Sequence, residues 1–395
     1  MQFLFATVLI DLIGFGIVIP ILPFLAPKLG ASNLEIGLII ATYSIFNGLC
    51  GPFWGRMSDR FGRKPIILIC LAGAVISYIG LAFASSLTAI YIWRAFGGWM
   101  AGNFGVASAM IADMTTPENR AKGMGMIGAA FGLGMVIGPT LGGLLSGNGE
   151  SYMLPFLVAA GLSTTAIIAG FFLLEETMTA DKRADHVVEQ SKHEKASLFR
   201  MLKQTNNRIL ASIFTLHNTC VSMISFVFPL WVGKLLGWGA MEVGFVFGIQ
   251  GLMMAFVQIK LLGPLSTRMG EIPFLIMSIG IMSSGFVVAT LASTTPFILM
   301  SFFLTVTGST LCLPILNSIT SKRTPLRFRG QMLGTTSSMS AWGRVTGPLL
   351  GGVILHYTGF NIAWVAGAIL GLIYLSWGFA QRAVPELSQD SSPAS

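Results

Sequence analysis

The sequence predicts an all-α membrane protein in which twelve transmembrane helices form two pseudo-symmetric six-helix bundles. First, the 395 residues are 53% hydrophobic and only 10% charged, whereas soluble domains are about 25% charged. Second, the apolar residues form blocks of roughly 20, the length that crosses about 30 Å of hydrocarbon. Third, the second half of the chain repeats the first at a nearly constant offset. A soluble fold is therefore excluded.

Twelve apolar blocks are predicted as spans, and Lys and Arg concentrate in every second loop between them. The blocks lie at about 3–26, 34–54, 65–85, 89–112, 123–146, 152–174, 208–232, 241–263, 273–293, 296–316, 331–356 and 361–381. The positive-inside rule then places both termini and the long middle loop in the cytoplasm. The net charge of +8 is accordingly a sign of topology rather than of nucleic-acid binding.

One extended polar stretch divides the spans six and six. We therefore expect six-helix bundles at 1–174 and 208–382, joined by a cytoplasmic linker at 175–207 that includes an amphipathic surface helix. The tail, 383–395, has a disordered composition. The four cysteines lack the spacing of metal ligands and are interpreted as small core residues. The first apolar block holds an Asp and lacks a basic leader, so it is predicted to be a span rather than a signal peptide.

Three pairs of segments carry the internal repeat. In each pair, small or charged residues recur at an offset of about 206 to 209: APKLGASNLEIG (26–37) with VGKLLGWGAMEVG (232–244), GRMSDRFGRKP (55–65) with GPLSTRMGEIP (263–273), and GMVIGPTLGG (134–143) with GRVTGPLLGG (343–352). Two six-span halves of the same topology are typical of secondary transporters, whose substrate route runs between the halves near the midplane.

The loop between spans two and three is short and strongly charged. It follows the pattern G-x-x-x-D-[RK]-x-G-[RK]-[RK], with Gly55, Asp59, Arg60, Gly62, Arg63 and Lys64. We call residues 55–64 the gating loop. Its glycines permit a tight turn, and a carboxylate such as Asp59 is favourable at a helix N-terminus. The alternative is that these charges only determine topology. The second-half copy has Thr267, Glu271 and Ile272 in place of three charged residues, so we expect a weaker latch there.

Two further motifs lie within spans. Span five contains G-x-x-x-G-P-x-x-G-G, with Gly134, Gly138, Pro139, Gly142 and Gly143. Glycines four residues apart make a flat face for close helix packing, and a proline bends the helix. Span four contains R-x-x-x-G, with Arg94 and Gly98. An Arg inside a membrane is costly and therefore a functional candidate, unless its side chain reaches the nearby outer surface.

Over nearly its whole length, and in these three motifs, the chain resembles the major facilitator superfamily. Within that superfamily it is similar to the twelve-span drug:proton antiporters, which include the tetracycline exporters. The resemblance implies that Asp59 contacts the start of span eleven and that Arg63 pairs with Asp113 at the end of span four. It also implies that these contacts hold the outward-facing state, and that the span-five motif belongs to exporters.

Several ionisable or polar residues lie within predicted spans. Asp11 is the leading candidate for proton coupling, because it lies in the first span, which resembles that of the tetracycline exporters, about 12 Å from the cytoplasmic end at 1.5 Å per residue. A packing or capping role is the alternative. His217, the repeat counterpart of Asp11, is a second proton site or an inert buried histidine. The remaining cavity candidates are Arg344, Gln250, Asn47, Asn103 and Tyr43.

Together these observations predict a proton-coupled exporter of a small amphipathic or drug-like molecule. A Walker sequence is absent, which argues against an ATP-driven pump, and we expect no enzymatic activity, cofactor, metal or nucleic acid. The expected partners are the substrate, protons and the lipid bilayer, with a monomer in the inner membrane. The alternatives are a transporter of one metabolite, such as a siderophore, and a receptor or scaffold that does not transport.

Overall fold

The computed structural model describes residues 2–116, 119–147, 149, 151–178, 205–324 and 329–383, and within these ranges the chain is helical. The helices are α1 (Gln2–Val18), α2 (Leu22–Lys28), α3 (Asn33–Phe61), α4 (Arg63–Ala82), α5 (Leu87–Met100), α6 (Asn103–Met114), α7 (Arg120–Ser146), α8 (Met153–Leu173), α9 (Thr205–Leu236), α10 (Ala240–Phe256), α11 (Leu262–Met269), α12 (Glu271–Leu291), α13 (Thr295–Lys322), α14 (Arg329–Tyr357) and α15 (Phe360–Ala380). A π-helical turn, Val257–Leu261, joins α10 to α11, and a 3₁₀ turn, Gln381–Ala383, follows α15.

These helices follow the predicted order of spans, with two notable interruptions. Span one consists of α1 and α2, which are bent by 41°. Span four is divided into α5 and α6, of 14 and 12 residues. Within the described ranges, nine helices are long and apolar enough to cross a membrane, or ten if α1 and α2 count as one span. Span eleven, α14, contains many polar residues and is not among them.

Two predicted segments fall largely outside the described residues. Most of the linker, including its predicted amphipathic helix, lies in 179–204, and the tail lies beyond residue 383. The start of the linker is described, and it takes part in the contacts of the gating loop.

The described residues form two compact units. The first takes those within Met1–Lys195 together with Phe226–Leu252 and Pro348–His356. The second takes those within Ala196–Ser225, Met253–Gly347 and Tyr357–Ser395. Segments of α9, α10 and α14 thus belong to the same unit as the N-terminal helices. The predicted domain boundaries stay a prediction.

Glycines produce equivalent turns at equivalent places in the two halves. Gly62 separates α3 from α4 with φ 111°, and Gly270 separates α11 from α12 with φ 79°. Residues with a Cβ rarely adopt these angles. The sharp turns therefore depend on Gly62 and Gly270 alone. The prediction that both glycines of the gating loop serve the turn is wrong for Gly55, because α3 continues to Phe61 and includes it.

Small residues let α7 pack directly on α1 in the first unit. A Cβ on Gly16 would lie 3.0 Å from both Gly134 O and Gly138 Cα, and one on Gly138 would lie 2.7 Å from Ile13 O. The repeat gives α14 and α9 the same relation in the second unit, where a Cβ on Gly343 would lie 2.5 Å from Thr215 O. The span-five motif thus packs on the helix that carries Asp11.

Candidate functional site

Asp11 lies in a small cavity between α1, α4 and α6. Asn103, the first residue of α6, donates a hydrogen bond from Nδ2 to Asp11 Oδ2. Apart from Thr7, Asp11 and Asn103, the lining is apolar, and it comprises Val8, Leu12, Ile67, Leu71, Phe104 and Ala107. The site therefore combines one carboxyl group, one amide and an apolar wall, which suits a group that exchanges protons rather than a metal site.

The interruption between α5 and α6 brings two more polar residues to this region. Asn47 Nδ2 donates to Ala101 O at 2.9 Å, and Trp54 Nε1 donates to Trp99 O at 2.6 Å. Both side chains belong to α3. Sequence reasoning named Asn47 and Asn103 as separate cavity candidates, and the structure places both at this break. Trp54 was missed, because a tryptophan in an apolar span carries no distinctive signal.

Arg94 is buried on α5 and lies over an aromatic ring rather than in an ion pair. Its Cζ is 4.3 Å from the ring centroid of Tyr43, and its Nε has no hydrogen-bond partner within the described part of the chain. Tyr43 also packs on Phe15, with ring centroids 5.4 Å apart. Arg94 and Asp11 both lie near the buried Tyr78 on α4.

The gating loop is centred on a buried arginine. Arg63 Nε lies 3.0 Å from Asp113 Oδ2, and Arg63 NH1 lies 2.6 Å from Asp59 Oδ1. Arg63 NH1 also donates to Ser58 Oγ at 2.6 Å. The contact of Arg63 with Asp113 is the one that the family resemblance implies. The implied contact of Asp59 with the start of span eleven stays a prediction.

Glu176, three residues after the end of α8, joins this network without having been predicted. Its Oε1 accepts from Arg63 N at 2.8 Å and its Oε2 from Lys64 N at 3.2 Å. The carboxylate therefore caps the N-terminus of α4, where amide groups lack helical partners. Thr177 Oγ1 donates to Asp113 Oδ2 at 3.3 Å. The sequence offered a signal here, because acidic residues end an apolar span directly before a linker.

The second half carries an ion pair of reversed sign at the corresponding place. Lys322 Nζ lies 3.0 Å from Glu271 Oε1, which also accepts from Ser318 Oγ at 2.6 Å. Glu271 follows Arg63 by 208 residues and Lys322 follows Asp113 by 209, so the two pairs correspond. The Lys322 side chain is 59% exposed, against 6% for Arg63. That a latch is weaker in this half stays a prediction.

The last glycine of the span-five motif contacts α10 within the first unit. A Cβ on Gly244 would lie 2.5 Å from Pro139 O and 2.8 Å from Gly143 Cα. The repeat gives the same arrangement between α3 and α14, where a Cβ on Gly37 would lie 2.5 Å from Pro348 O and 3.3 Å from Gly352 Cα. We call these two contacts the glycine clasps. The other motif glycines pack on α1, where a Cβ on Gly142 would lie 2.4 Å from Ile17 O.

The second-half candidates lie in different surroundings from one another. His217 is 2% exposed, with Nε2 3.4 Å from Ser309 Oγ and its ring edge-on to Tyr374. Arg344, a cavity candidate that as an Arg within a predicted span was expected to be buried, is exposed on α14, and Gln250 is partly buried on α10. Within the described residues, clusters of three or more His, Cys, Asp or Glu that could hold a metal ion do not occur.

Comparison with known proteins gives one consistent result. The family model "Major Facilitator Superfamily" matches residues 4–261 and 210–394. The tetracycline resistance proteins of class C and class B from Escherichia coli are 30% and 31% identical, and the alignments cover 93% and 89% of this chain and 93% and 87% of those proteins.

A solved structure agrees at the level of the fold. The human organic anion transporter MFSD10 (TETRAN) superposes with a TM-score of 0.71 at 23% identity, covering 95% of this chain and 98% of that one. The predicted all-helical membrane fold is confirmed, and so is the family resemblance on which it partly rests. The chain belongs to the Major Facilitator Superfamily, a family of membrane transporters and not of enzymes.

Proposed function

We propose that this transporter exports a small amphipathic or drug-like molecule in exchange for protons. The observation that carries the proposal is the position of Asp11, which lies within a membrane-spanning helix, lines a cavity and accepts a hydrogen bond from Asn103. Ionisable residues inside transmembrane segments are costly, and they mark proton relays in transporters. The similarity to tetracycline resistance proteins supports a drug-like substrate.

The proposed cycle follows from alternating access. A proton arriving from outside binds Asp11, and substrate leaves. The two halves then rock, and the proton is released inside. The protonated carboxyl group and the substrate compete for the same state of the transporter.

The gating loop controls the balance between the two states in this proposal. Breaking the contact of Arg63 with Asp113 leaves a buried guanidinium without that carboxylate, which is unfavourable. The contact is therefore expected to favour the state in which the cytoplasmic ends of α3, α4 and α6 stay together. Membrane topology completes the proposal, with a monomer in the inner membrane and both termini in the cytoplasm.

The test uses purified protein in proteoliposomes with an imposed pH gradient and tetracycline as the first probe, followed by other amphipathic drugs. Wild type should accumulate a probe against its gradient only while the pH gradient lasts. Asp11→Asn should reduce this accumulation at least about tenfold while substrate exchange without a gradient continues, because only the proton step is lost.

The matched control is Glu242→Gln, which neutralises a carboxylate at the start of α10 that accepts from Gly239 N at 2.8 Å. This variant should transport like wild type. Equal accumulation with and without the pH gradient would refute antiport. Gradient-driven accumulation by Asp11→Asn at the wild-type rate would refute the role of Asp11. Binding without any transport would favour a receptor or scaffold.

A further inference from the structure

The helix of span four is interrupted at Ala101 and Gly102. Two side chains of α3 donate hydrogen bonds to the backbone carbonyl groups that the interruption leaves without helical partners. A continuous helix would supply amide donors four residues ahead for the carbonyl groups of Trp99 and Ala101. At the break these carbonyl groups accept instead from Trp54 Nε1, at 2.6 Å, and Asn47 Nδ2, at 2.9 Å. Unsatisfied backbone groups are costly in a membrane, so the two bonds stabilise the interrupted form.

The shape of the break also fits Trp54. A Cβ on Gly102 would lie 2.5 Å from three side-chain atoms of Trp54, and the tryptophan is only 6% exposed. Ala101 has φ −80° and ψ 39°, which ends α5. The indole therefore fills the space that the absent side chain of Gly102 leaves, and it holds the turn through both packing and a hydrogen bond.

The break orients Asn103 toward Asp11. Asn103 Oδ1 accepts from Phe104 N at 3.0 Å, which leaves Nδ2 to face Asp11 Oδ2. A donor held on a carboxylate stabilises its charged form over its protonated form. Because Asn103 begins α6, the direction of its amide depends on where α6 starts, and hence on the bonds that hold the break.

We infer that Trp54 and Asn47 are positioning residues, which hold the break between α5 and α6 so that the amide of Asn103 stays on Asp11 and sets how readily Asp11 takes up a proton. The inference rests on the proposed role of Asp11 in proton coupling. Trp54 directly precedes Gly55, the first residue of the gating loop. The same helix thus joins the proton site to the gating loop.

The variants that test this inference do not replace the other titratable groups near Asp11. On α4 these groups are Cys70 and Tyr78, and Cys70 also interacts with the backbone of Gly102 and Asn103 at the break. Against α1, α7 packs through Gly134 and Gly138 and α8 through Ser163, and these residues carry no charge.

The experiment measures protonation of Asp11 by infrared difference spectroscopy during a pH titration of the purified full-length protein. The carboxyl C=O band that Asp11→Asn removes reports the residue. Asn103→Leu should move the midpoint upward by about 0.5 to 1 pH unit, the effect of one ordinary hydrogen bond. Trp54→Phe and Asn47→Leu should each move it in the same direction by no more than Asn103→Leu does.

A double-mutant cycle separates positioning from a general loss of structure. Trp54→Phe added to Asn103→Leu should give no additional shift, because the amide through which Trp54 acts is already absent. The matched control is Trp99→Phe, which removes an indole that is 40% exposed but keeps the backbone carbonyl of that residue. This control should titrate like wild type.

Each outcome decides the inference. Wild-type midpoints in both Trp54→Phe and Asn47→Leu would overturn it, and so would a Trp54→Phe shift that persists in full without Asn103. If one variant fails to fold, the other supplies the same measurement. Failure of the proposed function has a different signature, since transport would then ignore the pH gradient while the infrared midpoints still shift.

Discussion

The glycine clasps predict that a single methyl group changes the equilibrium between states. In Gly244→Ala, the new Cβ would lie 2.5 Å from Pro139 O, whereas ordinary contact begins at 3.4 Å. The atom that the new methyl group would contact belongs to a backbone carbonyl, which cannot rotate away as a side chain can. The helices α7 and α10 must therefore separate locally by about 0.9 Å, the difference between these two distances.

The expected cost follows from known effects of overpacking. Inserting a methyl group into a well-packed contact typically costs about 1–3 kcal/mol. The gain in helix propensity from replacing Gly by Ala is the same in both states, because α10 stays helical in each, and it therefore cancels. The net cost to the packed arrangement is thus about 1–3 kcal/mol. Since about 1.4 kcal/mol is tenfold, the population with α7 and α10 together should fall by a factor of about 5 to about 140 relative to a state that separates them.

The assay is a distance measurement between spin labels at Leu144 on α7 and Gly239 before α10, in protein whose native cysteines are replaced. Gly244→Ala should increase the long-distance population, and Gly37→Ala should do the same for labels across α3 and α14, because its Cβ would also lie 2.5 Å from a backbone carbonyl, that of Pro348.

The control is Gly161→Ala, since a Cβ at Gly161 would meet nothing within 4 Å. It should leave the distances unchanged. If Gly244→Ala gave the same distribution as Gly161→Ala, the reasoning from close contact to conformational equilibrium would be refuted.

Two further predictions concern the loops. Glu176→Ala should lower the unfolding temperature of the detergent-solubilised protein by a few degrees, because α4 loses a cap worth about 0.5–2 kcal/mol. Glu175 is one residue earlier and exposed, so Glu175→Ala should leave the unfolding temperature unchanged. Equal effects of Glu175→Ala and Glu176→Ala would contradict the capping role. In the second half, Glu271→Lys or Lys322→Glu alone should each destabilise the protein by at most about 1 kcal/mol, because the Lys322 side chain is 59% exposed. The double exchange should recover this loss at low salt but make no difference in 1 M salt, and additive losses in the double variant would contradict the pairing.

The general features of the fold were predictable because they depend on composition and period. Membrane-length apolar blocks and the clustering of basic loops do not need tertiary information. The same holds for Gly62 and Gly270, whose positive φ marks a sharp turn between two long helices. The pairing of Arg63 with Asp113 came from a family pattern rather than from the local sequence.

The internal break of span four was not predictable in this way. The segment from Trp99 to Asn103 contains no proline, and a glycine inside an apolar helix is often tolerated. The interruption depends on donors from another helix, Asn47 and Trp54, which lie about 50 residues earlier in the sequence. Local propensity contains no information about such donors. The span was consequently predicted as continuous, and the arrangement of Asn103 against Asp11 could not be inferred.

The second-half ion pair shows what the repeat preserves. The second-half copy lacks the charged pattern of the gating loop, because Glu271 stands where the first half has Arg63. An ion pair nevertheless forms between the same two positions with the charges exchanged, since Lys322 stands where the first half has Asp113. Both halves therefore have an ion pair between the start of their third span and the end of their fourth span. Which end carries the positive charge differs between the halves. Burial distinguishes the cations of the two copies, because the Arg63 side chain is 6% exposed and the Lys322 side chain is 59% exposed. Loss of its carboxylate partners therefore costs more at Arg63 than at Lys322.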